Sequence, residues 1–158
     1  MRIRALIATA LLAASLSACS SGDETASKAP AAKPSSKAVE LAPVWQPKLD
    51  TASAGALAIC QTPSSPSCAT ALTDIMLVVH EIEDTITEPG MGKYPESTKQ
   101  MAKMQEATDL YVDQGCQGDP AADEPSSRCY GAAVNIAAGS DALGMTLVTD
   151  DMNLRPRP

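Results

Sequence analysis

The chain has 158 residues, a net charge of −7, 44% hydrophobic and 3% aromatic residues, and no Phe. That is the size of one domain with extensions, and its core must be built from Leu, Ile, Val, Met and Ala. The acid excess excludes nucleic acid and anionic lipid surfaces as partners of the folded part, because both require basic patches. Residues 50–150 carry 15 Asp and Glu against Lys93, Lys99, Lys103 and Arg128.

Residues 1–18 have the layout of a signal peptide. Arg2 and Arg4 precede a run of Ala, Leu and Ile from Ala5 to Leu16, broken by Thr9 and Ser15. The run is shorter than the ~20 residues a membrane span needs. It ends in Leu16-Ser17-Ala18-Cys19, which resembles the lipobox of bacterial lipoproteins. That resemblance covers residues 1–19. It implies cleavage before Cys19, a thioether-linked diacylglycerol on its sulfur and an acyl chain such as palmitate on its new amine. It also implies a place in the cell envelope, facing the extracytoplasmic side and held to the membrane through Cys19. Two or more acyl chains anchor stably where one does so only marginally. Ser20 follows the cysteine where an Asp would signal retention, which in a two-membrane host implies the outer membrane. Without the leader, 10 basic side chains remain against 19 acidic ones, a balance of −9.

Residues 19–49 read as a disordered tether rich in Pro, Ala, Ser and Lys. Pro30, Pro34, Pro43 and Pro47 oppose regular helix, and few apolar groups offset the entropy of ordering. Trp45 near its end is expected to dock on the domain, since an indole has ~200 Å² to hide. Residues 50–150 read as an all-α, disulfide-stapled bundle of about four helices. The first covers 51–60, capped by Asp50 or Thr51, and a Pro63–Pro66 turn follows it. The second is capped by Ser67. Its apolar face is Leu72, Ile75, Met76, Val79, Ile82 and Ile86, while Leu77 and Val78 predict cover on another side. Glu88-Pro89-Gly90 stops it.

Pro95 suits the first turn of the third helix, and Glu96 the positive end of its dipole. Met101, Met104, Ala107, Thr108 and Tyr111 form its inner stripe, and Gly115 marks its end. Residues 117–125 read as an acidic, solvated turn. Ser126 or Ser127 caps the fourth helix, with Cys129, Ala133, Ile136, Ser140, Leu143 and Leu147 facing inward. Its glycines weaken it, and residues 145–148 are open to a strand reading. No predicted helix exceeds about 20 residues, and 151–158 read as a disordered tail.

Beyond Cys19, the cysteines are Cys60, Cys68, Cys116 and Cys129. An even number in an exported chain reads as two disulfides. Spacings of eight and thirteen do not match the close pairs of zinc sites. Each pair flanks one predicted inter-helix turn, which predicts Cys60–Cys68 and Cys116–Cys129. All four fall at one end of an up-down bundle, so crossed pairing is geometrically open.

The remaining candidates are plain. His80 has Glu83 and Asp84 on its helix surface, a solvent-facing arrangement without the third partner a metal needs. The methionines read as core filling in place of Phe rather than a copper set. Asp119, Asp123 and Glu124 lack the alternation of a calcium loop. No GxSxG, HExxH, phosphate-loop or CxxCH motif occurs, so no catalytic or metal residue and no cofactor is expected. The expected role is non-enzymatic, as a structural or protein-binding envelope lipoprotein, with a small-ligand or metal carrier as the alternative. Gly55 to Met76, with Leu57, Cys60 and Cys68, is similar to the opening of helical, disulfide-bonded periplasmic immunity and inhibitor proteins, whose pattern the second cysteine pair departs from.

Overall fold

The computed structural model describes residues 39–155 apart from Gly90, so the leader, Cys19 and most of the expected tether lie outside the described residues. Five helices follow: α1 (Ala42–Ser53), α2 (Ala56–Ile59), α3 (Pro66–Thr87), α4 (Pro95–Asp113) and α5 (Arg128–Leu154). A 3₁₀ turn, Pro120–Asp123, precedes α5. The four long helices make the expected all-α bundle, and its core is one cluster of Leu, Ile, Met, Ala and Tyr side chains.

Helix α5 organises the packing. It is 27 residues long, more than any helix expected from the sequence. Residues 145–148 lie within it and are helix, not strand. Its small residues let α4 come close, and these two helices share the largest interface. A Cβ on Gly139 would stand 2.7 Å from Met104 Cγ, so any larger residue there would force the Met104 side chain to shift.

Three expectations are corrected. Residues 42–49 are helix rather than tether, and Trp45 and Leu49 are buried with Leu41 and Ala42. Pro43 suits the first turn of α1, and Pro47, the real obstacle, stands on an exposed face of the helix. Burial of the Leu41, Trp45 and Leu49 stripe against α3 and α5 outweighs the hydrogen bond Pro47 cannot make. The expected 51–60 helix is interrupted instead by Gly55, whose φ of +73° turns the chain into α2. At the other end, Asp151–Leu154 continue α5, and Asp151 is buried rather than part of a disordered tail.

Caps explain the other helix starts. Ser65, not Ser67, caps α3 by accepting the Cys68 N–H at 3.1 Å, with Pro66 in the first turn. Ser127 caps α5 through the Tyr130 N–H at 2.9 Å. The acidic stretch before α5 is only partly solvated. Ala122 is buried, and Asp123 accepts the Ser64 N–H at 2.9 Å and the Ser64 hydroxyl at 2.8 Å.

Candidate functional site

The cysteines pair as Cys60–Cys68 and Cys116–Cys129, with Cα separations of 4.8 and 5.5 Å. Both bridges sit at the same end of the bundle, one joining α2 to α3 and one joining the end of α4 to the start of α5. Gly118 N–H donates to Ser64 O at 2.8 Å, and the Tyr111 hydroxyl donates to Pro63 O, so the two stapled turns are tied together.

The opposite end is held by a pair of adjacent buried carboxylates that sequence reasoning missed. Asp150 and Asp151 are 0% and 4% exposed. Each serves the N-terminus of a different helix. Leu41 and Tyr94 stand at the cap positions of α1 and α4, and neither side chain caps its own helix. Asp151 therefore accepts from Leu41 N–H at 3.0 Å and Ala42 N–H at 2.8 Å. Asp150 accepts from Ser97 N–H at 2.9 Å and Ser97 Oγ at 2.8 Å, with Glu96 N–H at 3.4 Å. Orphan amides and the positive end of the helix dipole both favour a carboxylate here. The Tyr94 hydroxyl completes the set, its one proton shared between Asp151 at 2.9 Å and Val39 O at 2.8 Å. Among the described residues no buried side-chain polar atom lacks a partner, which fits a structural rather than a reactive role for the pair. A single Asp-Asp dipeptide carries little local signal, because its partners lie 53 to 110 residues away.

Burial, then the hydrogen bond to Asp151 and the charges of Asp151, Asp150 and Glu40, push the Tyr94 phenol well above the ordinary tyrosine range. Burial and the Asp123 charge raise Tyr111 as well. Unfolded, both phenols ionise near pH ~10; folded, they keep their protons. Stability linked to them is therefore complete below that pH and lost as pH rises above it. In a Tyr130→Phe background, alkaline titration should show no tyrosinate absorbance until the helical circular dichroism collapses. Ionisation near pH ~10 in a fully helical protein would contradict the burial argument.

His80 is solvent-facing, with Nδ1 3.6 Å from Glu83 Oε2. Among the described residues, no three His, Cys, Asp or Glu side chains gather as metal ligands. Met76, Met101 and Met104 are in the core, whereas Met145 and Met152 are exposed. Asp119 accepts the Ala121 N–H at 2.9 Å, capping the 3₁₀ turn.

Three grooves run between the helices. One of about 590 Å³ lies between α4 and α5, with Lys103, Glu106, Arg128 and Asn135 above small residues. One of about 760 Å³ lies between α1 and α3. Lys48 spans that groove, 3.5 Å from Glu81 and 3.9 Å from the centre of the Trp45 ring. The third, about 330 Å³ between α3 and α4, has no such strap. Its floor is Leu72, Met76 and Ile136, and its lips carry Leu77 and Val112, which are 58% and 68% exposed. The expected second cover of α3 thus exists for half-buried Val78 and not for Leu77. This groove is the candidate site: a concavity floored by buried core side chains between two exposed apolar lips.

No protein family, curated protein or solved structure matches this chain.

Proposed function

We propose that this chain is a lipid-anchored envelope protein whose helical domain docks a partner protein, with no catalytic step. The anchor rests on Leu16-Ser17-Ala18-Cys19 at the end of the Arg-led apolar leader. The docking role rests on the groove between α3 and α4, where Leu77 and Val112 stay exposed beside an apolar floor. Large apolar side chains left in water around one concavity mark an interaction site better than the same residues scattered singly. The non-enzymatic reading is supported by the sequence, which holds no GxSxG, HExxH, phosphate-loop or CxxCH motif.

A small-ligand carrier is the second reading, favoured by one observation: the groove volume of about 330 Å³ falls within the range of small-molecule sites. Native mass spectrometry separates the two, since a carrier holds a stoichiometric small molecule and a docking domain does not. The anchor has its own test. Cys19→Ala should abolish metabolic labelling with a fatty-acid analogue and leave the chain unprocessed or released. Intact mass showing a bare wild-type Cys19 sinks the lipoprotein reading.

A further inference from the structure

The groove between α3 and α4 has a charged frame as well as an apolar floor. Glu83 and Asp84 lie three and four residues beyond His80, so they continue the face of α3 that carries Met76 and His80 into the groove. The adjoining loop adds Asp119 near Gln117. Among the described residues, none of these carboxylates is ion-paired to a Lys or Arg. Residues 49–92 and 104–127 contain neither Lys nor Arg. Lys48 bridges to Glu81 on the α1 side of α3, and Lys103 and Arg128 line the groove between α4 and α5.

From this arrangement we propose that the groove takes a cationic amphipathic helix of a partner protein. The inference rests on the docking reading above and names the chemistry of the partner. Apolar side chains spaced i, i+3 and i+4 would fill the slot between Leu77 and Val112, as in helix-in-groove recognition. Flanking Lys or Arg would face Glu83 and Asp84, which extend the α3 side of the slot. Complementary charge of this kind steers encounter and fixes orientation more than it adds affinity. Anionic lipid and nucleic acid meet a field of their own sign here. The exposed apolar face of α5 does not supply such a ligand from a second copy of the chain. Helix α5 exposes Met145, Val148 and Met152 on one face, but no Lys or Arg lies between Arg128 and Arg155.

The test uses the full mature chain in zwitterionic lipid nanodiscs and three synthetic peptides of equal length. The first is a Leu-striped helix flanked by Lys, the second the same stripe flanked by Glu, the third a scramble of the Lys peptide that breaks the stripe. The Lys-striped peptide should bind, and the other two should bind at least ~10-fold more weakly. Leu77→Ser with Val112→Ser should weaken binding ~10-fold or more while leaving the thermal melt intact, since both side chains are exposed. Glu83→Gln with Asp84→Asn should weaken it severalfold and flatten its dependence on salt. Equal binding of the Glu peptide or the scramble, or unchanged affinity in the groove variants, overturns the proposal. So does self-association that Leu77→Ser abolishes. A partner contacting Leu77 in the envelope through a segment that is not a cationic helix overturns this inference and leaves the docking reading standing. Absence of any contact at Leu77 or Val112 removes both.

Discussion

Replacing Asp151 with alanine should release α1 and destabilise the domain by about 4 kcal/mol. Two backbone donors, Leu41 N–H and Ala42 N–H, lose their acceptor at once, while the Tyr94 hydroxyl keeps Val39 O at 2.8 Å. Hydrogen bonds to a charged group contribute ~1.5–3 kcal/mol each, and melting of the first turn of α1 lets water recover part of the loss. The figure is a large share of the ~5–15 kcal/mol that holds a domain together. Asp151→Asn should cost less, since the amide keeps one acceptor oxygen while presenting an NH₂ group to donors. Hydrogen exchange locates the effect. Protection should fall first at Leu41–Leu49, and in Asp150→Ala at Glu96–Lys99 instead. Equal loss of protection across all helices in both variants would contradict the assignment of one carboxylate to each helix.

Reduction of both disulfides should cost about as much. The entropy model gives roughly 2.5 kcal/mol for the shorter loop and about 2.9 kcal/mol for the longer, or ~5 kcal/mol together as an upper figure, because residual structure in the unfolded chain subtracts from it. A core without Phe has little surplus to absorb that loss. The reduced domain should therefore melt or loosen near body temperature. The effect should be centred on the stapled end, where Gly118–Ser64, Tyr111–Pro63 and Asp123–Ser64 all depend on the two turns staying adjacent. Urea denaturation with and without reductant measures it. A reduced protein within ~1 kcal/mol of the oxidised one would show that these polar ties hold the end without the staples.

The two ends of the bundle differ in how far the sequence reveals them. The stapled end was legible, because each cysteine stands at a helix terminus next to a Pro-containing turn, and both features are local. The α3 stripe and the docking of Trp45 were legible for a similar reason: apolar periodicity and a large indole announce burial without reference to a partner. The Asp150–Asp151 end was not. Its caps come from 53 to 110 residues away, and the helices they serve begin at Leu41 and Tyr94, which have no capping side chain of their own. Pro43 and Pro47 pointed to coil by local propensity, and tertiary burial of Leu41, Trp45 and Leu49 prevailed. The groove was half legible. Leu77 stood out as apolar and off the stripe, but only the packing of α1 shows that cover reaches Val78 and stops short of Leu77.

Site-specific photo-crosslinking in intact envelopes tests the central claim most directly. A photoreactive residue is placed at Leu77 or Val112, and at Met145 or Met152 on the exposed face of α5. The account predicts one discrete adduct from positions 77 and 112, the same protein from both, and none of it from 145 and 152. It also predicts that the adduct is lost when Cys19→Ala releases the chain from the membrane. Adducts from all four positions alike, or from the α5 face alone, would contradict a docking site between α3 and α4.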